Sequence, residues 1–192
     1  MCGRYYIPEE EQDEELWAIM EILNRRPGAE NIKLGEVFPR DTVPVIANNR
    51  LMRETPFAMT WGYTLPGGKS IINARSETAK EKPLFREGIE QHRCLLPAGH
   101  YFEWENREKE KIKYAIRPAF SGLFYLAGIY RLENGQPRFT ILTRAPAENI
   151  SFIHDRMPVI LPREMKKDWL DPRFDAGELL QSAVLNVRYE PA

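Results

Sequence analysis

The chain has few of the residues that build metal centres or disulfide frameworks. Only two of its 192 residues are cysteine, Cys2 and Cys94, and only three are histidine, at positions 92, 100 and 154. The cysteines do not form the CxxC pair of a zinc site, and the histidines are too few to close one. We therefore expect no metal, no other cofactor and no disulfide, with both thiols reduced.

The sequence also lacks an excess of charge and a long apolar run. Its 27 basic and 28 acidic residues give a formal net charge of -1, which excludes a polybasic surface that binds duplex DNA indiscriminately. Any anionic partner must meet a local basic cluster. No apolar run approaches the ~20 residues that span a bilayer, and the acidic stretch EEEQDEE is the wrong flank for a signal peptide. We expect a cytoplasmic protein with no membrane contact.

Helical patterns are few. Acidic residues followed by Leu16, Ile19, Met20 and Leu23 at helical spacing predict a helix in the segment EEEQDEELWAIMEILN after Pro8. EKPLFREGIEQH and REMKKDWL predict two more helices, and AENISFI a short helical turn. Most of the remaining chain shows strand patterns instead.

Short alternating runs rich in β-branched and aromatic residues predict strands. NGQP separates two of them and is typical of a hairpin turn. The class that follows is α+β: a single domain over residues 1–192, with mainly antiparallel strands in a curved sheet or partial barrel and helices at its periphery. The strand runs include TVPVIA, FAMTW, RCLLPA, HYFEWE, KYAIRP, LFYLAGIYRL, RFTILT and MPVIL.

Cys2 stands directly behind the initiator methionine. If Met1 is removed, Cys2 carries both a thiol and an α-amine, and such an amine titrates near ~7.7 to 8.0. A 1,2-aminothiol condenses with an aldehyde to a Schiff base that the thiol closes into a thiazolidine ring, and the same arrangement serves amidohydrolases in which the thiol attacks an acyl carbon. Position alone leaves both chemistries open, together with an uninvolved cysteine near a chain end. Cys94, inside RCLLP, is most simply a buried apolar group.

Three other stretches carry candidate functional residues. In INARSE, Asn73 and Arg75 project from one face of an extended segment, where they would orient a substrate and bind a phosphate, or serve as a turn asparagine and a solvated arginine. In HYFEWE, Glu103 shares a face with Tyr101. If the aromatic pair on the other face, Phe102 and Trp104, is core, Glu103 faces outward or into a cleft. Partial desolvation there would raise its pKa toward that of a general acid or base.

HDRMP supplies the last candidates. His154 is placed between a helical turn and a strand, where Asp155 or a backbone carbonyl would fix its tautomer for proton transfer. Arg156 is a further phosphate ligand. A lone histidine is also compatible with a purely structural role.

Together MCGR, WGY, INARSE, HYFEWE and HDRMP occur in the order and spacing of one family. The sequence resembles the SOS-response-associated peptidase (SRAP) family, whose members are abasic-site processing proteins, over nearly the whole chain. The resemblance implies the family's fold and a covalent thiazolidine crosslink between Cys2 and the ring-opened aldehyde of an abasic site in single-stranded DNA. It implies a catalytic set, Cys2, Asn73, Glu103 and His154, and DNA-binding positions at Arg4, Pro39, Arg75 and Arg156.

The resemblance also implies a place in the DNA damage response, association with the nucleoid when bound to damaged DNA, and a monomer. Cysteine peptidase or amidohydrolase activity, including autoproteolytic removal of Met1, is the alternative, and lyase activity on the abasic sugar is compatible with either. A non-covalent single-strand binding module is a third possibility.

The sequence departs from the family pattern in three places. GEVFPRD replaces the YN(V/I)AP segment of relatives, so Glu36 stands where an asparagine is expected although Pro39 is retained. PGGKS replaces a loop in which some bacterial relatives carry tryptophans that wedge against DNA bases. The chain stops at NVRYEPA, before the longer C-terminal segment usual in relatives, so we expect the sheet to lack an edge element.

Overall fold

The structure is a computed structural model that describes residues 2–9, 13–108, 110–120 and 122–192. Within these residues the helices are α1 (Glu14–Asn24), α2 (Pro83–Gln91), α3 (Lys166–Leu170) and α4 (Ala176–Gln181). The strands are β1 (Tyr5–Ile7), β2 (Gly35–Val37), β3 (Thr42–Asn48), β4 (Glu54–Trp61), β5 (Tyr63–Thr64), β6 (Ser70–Ile71), β7 (Asn73–Arg75), β8 (Arg93–Ala98), β9 (His100–Arg107), β10 (Glu110–Pro118), β11 (Phe124–Glu133), β12 (Gln136–Arg144), β13 (Met157–Pro158), β14 (Ile160–Leu161) and β15 (Val187–Pro191).

A closed ring of strands forms the centre of the molecule. Antiparallel pairing joins β4 to β3, β3 to β8, β8 to β11 and β11 to β12. Parallel pairing of β12 with β4 closes the ring, and β7 extends it by pairing in parallel with β12. Large side chains such as Trp61, Phe139 and Tyr125 are fully buried. The α+β class with a partial barrel is therefore confirmed.

A second sheet has the strand order β15-β10-β9-β1-β2, and all its pairs are antiparallel. Its edge strand β15 comes from NVRYEPA, where Val187 to Pro191 pair with Pro118 to Tyr114 of β10. The expectation that the sheet lacks an edge element is wrong, because the end of this chain supplies that strand. This sheet carries the first residues of the chain and HYFEWE side by side.

The predicted helices are found, with shifted ends. Asp13 caps α1 by accepting hydrogen bonds from the backbone N–H groups of Glu15 and Leu16 at 3.0 and 3.1 Å, so the described helix begins at Glu14. The earlier part of the predicted helix, residues 10–12, lies outside the described residues. The predicted apolar stripe is buried: Leu16, Ile19, Met20 and Leu23. In the described ranges no helix is long and apolar enough to cross a membrane.

Several shorter elements refine the predictions. In NGQP, Asn134 and Gly135 both have positive φ, 51° and 78°, as the tight hairpin between β11 and β12 requires. MPVIL forms two short strands rather than one, because β13 pairs with β12 whereas β14 pairs with β11. AENISFI contains a single 3₁₀ turn, at Glu148–Ile150. Helix α4 was not predicted from the sequence.

Gly128 of β11 offers a test of barrel packing. A Cβ atom there would lie 2.8 Å from Leu96 Cδ1, 3.0 Å from Cys94 Sγ and 3.2 Å from the carbonyl oxygen of Thr140. We expect Gly128→Ala to lower the free energy of unfolding by about 1–3 kcal/mol, because overpacking displaces its neighbours. Gln136→Ala is the control, since Gln136 is exposed at the start of β12 and its truncation displaces nothing in the barrel. Equal losses in urea denaturation would contradict this account.

Candidate active site

Cys2 lies just before β1 and is completely buried. Its Sγ is 3.9 Å from the carbonyl oxygen of Arg4, to which the thiol donates a long hydrogen bond. Burial, with a smaller contribution from the negative charge of Glu103, raises the pKa of the Cys2 thiol far above its ordinary value. While Met1 is present, the backbone nitrogen of Cys2 is part of a peptide bond and is not a free amine. In this unprocessed form the buried thiol of Cys2 is neutral.

Asn73 connects Cys2 to the barrel. It begins β7, which runs parallel to β12 with Asn73 opposite Ile141. The side-chain Nδ2 of Asn73 donates a 2.8 Å hydrogen bond to the carbonyl oxygen of Cys2, which is 71 residues away in sequence. The Oδ1 atom of Asn73 is buried and accepts no hydrogen bond from the part of the chain that the structure describes. The amide group thus fixes the backbone at Cys2 and keeps an acceptor beside it.

Glu103 approaches the same place from β9. Tyr101 pairs with Tyr5 of β1, and Glu103 is the next residue of β9 that points to the core side. Glu103 is only 4% exposed, and this burial raises the pKa of its carboxyl, against the opposing effect of His154. The direction of this shift is the one considered from the sequence, but its cause is burial on the core side rather than a position in an outer cleft. An acid that is easily kept protonated therefore faces the cysteine.

The orientation of HYFEWE differs from the one considered in the sequence analysis. Tyr101 and Glu103 face the core, whereas Phe102 and Trp104 lie on the other face of the sheet, where Phe102 is itself buried and Lys113 Nζ lies 3.7 Å from its ring centroid. Strand alternation correctly separates the two pairs. It does not decide which pair is inside, and here the carboxylate shares the buried side with tyrosine.

His154 lies between the 3₁₀ turn and β13, with its side chain 29% exposed. Its Nδ1 accepts a 3.0 Å hydrogen bond from the backbone N–H of Arg156 and lies 2.8 Å from Asp155 Oδ1. A nitrogen that accepts from a peptide N–H carries no proton, so the backbone contact favours the neutral tautomer with its proton on Nε2. Asp155 Oδ1, on a side chain that is 81% exposed, would accept a hydrogen bond from this atom only if Nδ1 carried the proton. The ring is thus held at its Nδ1 atom by residues of its own segment.

Two tyrosines that the sequence analysis did not single out border Cys2. Tyr5 and Tyr101 are completely buried, and neither hydroxyl has a hydrogen-bond partner within the described ranges. Burial first, and then the neighbouring Cys2, raises the pKa of both phenols, so both remain neutral donors. Their inward alternation along MCGRYY and HYFEWE is the sequence signal that could have identified them.

Trp61 of the WGY motif packs and hydrogen-bonds to the segments that carry the site residues. Trp61 packs edge-on against Tyr5 at a centroid distance of 5.4 Å and stacks on Phe139. Its Nε1 donates a 2.9 Å hydrogen bond to the carbonyl oxygen of Ile72, the residue before Asn73. Trp61 therefore joins the segment that carries Asn73 to the strand that follows Cys2.

Arg4 projects onto the outer face, where its guanidinium lies 4.4 Å from the ring centroid of Phe38 and 5.0 Å from that of Trp104. It donates a 3.2 Å hydrogen bond to Glu36, which also accepts from Lys113 at 2.9 Å. Burial opposes ionisation of Glu36, but the hydrogen bond from Lys113 and the nearby cationic charges leave its pKa below the ordinary value. Glu36 is therefore an internal counter-ion for the cations of this face.

The other predicted DNA-binding residues differ in environment. Arg75 is exposed and makes no ion pair with any described residue. Arg156 is held by both oxygens of Glu77, at 2.8 and 2.7 Å, and by the carbonyl oxygen of Thr143 at 2.7 Å. Pro39 is half-buried in the loop after Phe38. Neither Glu36 nor Glu77 was identified from the sequence as a partner of an arginine.

The site is thus a buried cysteine at position 2, with an amide, a carboxyl and an imidazole contributed by separate segments. Among the described residues no group of three or more histidine, cysteine, aspartate or glutamate side chains is arranged to hold a metal ion. A thiol, a carboxyl and an imidazole are side-chain groups that carry out nucleophilic and acid–base chemistry.

Comparison with known proteins identifies the family. The family model "SOS response associated peptidase (SRAP)" matches residues 1–190, and the chain belongs to this family. It is 37% identical over 199 residues to the abasic site processing protein YoqW of Bacillus subtilis, covering 95% of this chain and 85% of that protein. It is also 37% identical over 202 residues to YobE, an abasic site processing protein of the same organism, covering 96% and 89%.

Solved structures share the fold. A phage-related protein of Bordetella bronchiseptica superposes with a TM-score of 0.76 at 24% identity, covering 100% of this chain and 94% of that one. A protein of Bacteroides thetaiotaomicron gives a TM-score of 0.75 at 22% identity, with 99% and 91% coverage.

Glu103 predicts a pH dependence of stability. Because its pKa is raised in the folded state, the folded protein keeps a proton that the unfolded chain loses near the ordinary value of 4.5. The stabilisation from this proton is complete below that value and is lost as the pH rises through the folded-state pKa. We expect wild type to gain stability relative to Glu103→Gln on acidification from neutral pH toward 4.5. Urea denaturation at several pH values measures this difference, and a pH-independent difference would contradict the prediction.

Proposed function

We propose that this protein processes abasic sites by forming a covalent crosslink between Cys2 and the ring-opened deoxyribose of an abasic site in single-stranded DNA. The crosslink shields the lesion from strand cleavage during the DNA damage response. Family membership and the names of the Bacillus relatives support abasic-site processing. The observation that carries the crosslink chemistry is the hydrogen bond from Asn73 to Cys2, a cysteine that becomes N-terminal when Met1 is removed. Glu103 lies close enough to influence the Cys2 thiol, and His154 lies close enough to influence Glu103.

The reaction proceeds through two bond-forming steps. The α-amine of processed Cys2 attacks the C1′ aldehyde carbon, and loss of one water gives an imine. The Cys2 thiol then adds to the imine carbon while its proton passes to the imine nitrogen, which closes a thiazolidine ring. The net change is loss of one water, with no oxidation or reduction. Intact nucleotides lack the aldehyde, so the chemistry itself selects the lesion.

Three side chains assist these steps. Glu103, with its raised pKa, delivers a proton to the leaving water and takes one from the thiol. Asn73 holds the Cys2 carbonyl, which restricts the amine and the thiol to one side of the incoming carbon. His154, exposed on one side and close enough to influence Glu103, promotes opening of the sugar ring.

Arg4, Pro39, Arg75 and Arg156 would contact the strand on either side of the lesion. Arg75 is exposed and can contact a phosphate directly. Arg4 and Arg156 are already ion-paired, with Glu36 and Glu77 respectively. A phosphate that displaces these carboxylates gains an arginine already held in position. The acids therefore moderate affinity for undamaged strands and leave capture of the aldehyde to provide retention.

Replacing Cys2 tests the crosslink directly. We expect the wild-type protein to form an adduct that survives denaturation with a uracil-containing single-stranded oligonucleotide treated with uracil glycosylase. Cys2→Ala abolishes the adduct because no thiol remains to close the ring. Cys94→Ala is the matched control, since Cys94 is equally buried but lies in the barrel on β8, and it retains the adduct.

The outcomes on denaturing gels separate the rival functions. Persistence of the full adduct yield in Cys2→Ala would overturn the proposal. Cleavage of a peptide that depends on Cys2 and Glu103, without any DNA adduct, would establish the peptidase or amidohydrolase alternative. Salt-dependent binding to intact strands without an adduct would indicate a non-covalent single-strand binding module.

Glu36→Gln tests the counter-ion role. The change keeps the shape of the side chain and removes the charge that engages Arg4 and Lys113. We expect affinity for a single-stranded oligonucleotide to rise about twofold to fivefold, as release of ion pairs worth up to ~1 kcal/mol allows. Fluorescence anisotropy measures the affinity, and Glu87→Gln on α2 is the control. Unchanged or weaker binding by Glu36→Gln would contradict the role.

A further inference from the structure

We propose that the single strand flanking the lesion continues across the outer face of the second sheet to a distal phosphate-binding site formed by Arg117 and Arg188. This inference rests on the proposed function, because it adds a second contact region for the same substrate. Neither arginine is among the DNA-binding positions that the family resemblance implies. Arg117 and Arg188 lie on β10 and β15, whereas Cys2 precedes β1.

Strand register brings the distal residues into one row. Arg117 of β10 pairs with Arg188 of β15. Ile116 pairs with Tyr101, so the same register continued by one residue places Arg117 beside His100. His100 in turn pairs with Tyr6 of β1, which pairs with Glu36 of β2. We call this cross-strand set, Arg188, Arg117, His100 and Tyr6, the distal row.

The distal row lies on the outer face. Tyr5, Ile7 and Tyr101, which alternate with Tyr6 and His100 along their strands, are completely buried on the core side. A depression of about 290 Å³ adjoins the row and is lined by all four of its members. The guanidinium of Arg188 is exposed and makes no ion pair with a residue that the structure describes. An available cation therefore borders an open depression.

Aromatic rings connect the distal row to the surroundings of Arg4. The rings of Tyr6 and His100 stack at 4.7 Å with an interplanar angle of 5°, and His100 meets Phe102 edge-on at 4.7 Å. Lys113 Nζ lies 3.7 Å from the centroid of Phe102 and 5.9 Å from that of Trp104. His100 and Trp104 are four residues apart on one strand, which corresponds to about 13 Å. Rings and cations thus alternate along this side of the sheet over that length, and the ring of Phe102 is the one that is itself buried.

The charge pattern identifies the occupant. In these rows the cations Arg4, Lys113, Arg117 and Arg188 outnumber the carboxylates Glu36 and Glu190, although the whole chain has a net charge of -1. Glu190 pairs with Arg117 at 2.7 Å, and both side chains are exposed, at 59% and 38%. Aromatic faces interleaved with cations are the means by which sheets bind single-stranded nucleic acid, with rings for bases and cations for phosphates.

Asp13 also lines the depression, and its effect must be weighed against the cations. Its side chain accepts the backbone N–H groups of Glu15 and Leu16 as the N-cap of α1. These hydrogen bonds and the positive end of the helix offset its charge. The row therefore remains attractive to phosphate.

The decisive experiment combines two substitutions, Arg117→Gln and Arg188→Gln. Binding is measured by fluorescence anisotropy on intact oligothymidine of about 20 nucleotides, so that it does not depend on the covalent step. Loss of two phosphate contacts is expected to reduce the slope of log affinity against log salt by about 1.4. We expect roughly fivefold to tenfold weaker binding at low salt, and no change for an oligonucleotide of about four nucleotides.

Two further variants define the controls. Arg107→Gln removes an arginine of the same sheet that is paired with Glu105 away from the distal row, and it should leave binding unchanged. Glu190→Gln releases Arg117 and should strengthen binding to the long oligonucleotide. An unchanged salt slope in the double variant, with its melting temperature preserved, would overturn the distal site.

The crosslinking assay keeps this inference separate from the proposed function. If wild type forms the adduct and the double variant shows no change in salt slope, the distal site fails and the proposed function stands. If wild type forms no adduct but the double variant loses affinity for the long strand, the proposed function fails and the distal site is supported as a binding surface.

Discussion

The hydrogen bond from Asn73 to the carbonyl oxygen of Cys2 is the contact on which the site depends. A chain start is ordinarily the most mobile part of a domain, and ordering it costs conformational entropy. Here β1 is inserted between β9 and β2, and Asn73 then ties the residue in front of β1 to the barrel. Trp61 reinforces this connection by binding the residue before Asn73 and packing on Tyr5. The two sheets therefore meet where Cys2 is held.

Burial at this junction has opposite effects on stability and on chemistry. It raises the pKa values of Cys2 and Glu103, so ionisation of either group costs stability. The same burial shifts the pKa of Glu103 upward, which is the direction that proton transfer by a carboxyl requires. The hydroxyls of Tyr5 and Tyr101, buried without partners in the described part of the chain, add further unmet hydrogen-bonding capacity beside the cysteine. Such groups are retained at a cost in stability, and polar groups of a substrate would satisfy them.

Local features of the sequence predicted much of the fold and the identity of the candidate residues. The stripe Leu16, Ile19, Met20 and Leu23 and the hairpin at NGQP follow from periodicity and turn chemistry, which act within a few residues. Alternation in HYFEWE separated Glu103 from Trp104 but did not identify the buried side, because that choice depends on what the sheet packs against.

The edge strand β15 and the counter-ions of Arg4 and Arg156 depend on pairing between distant segments. Glu36 is 32 residues from Arg4, and Glu77 is 79 residues from Arg156, so no local pattern encodes either contact.

Those counter-ions explain how a chain with balanced charge can serve a polyanionic partner. Carboxylates hold Arg4 and Arg156 in fixed geometry, so the arginines lose little rotamer freedom when a phosphate replaces the carboxylate. The exchange substitutes one anion for another, and its net gain is therefore small for each contact. Affinity must then accumulate over many contacts, which favours a long face such as the one from Arg4 to Arg188. Under the proposed function, a weak, distributed attraction would let the protein leave undamaged strands, and the proposed bond at Cys2 would form only where an aldehyde is present.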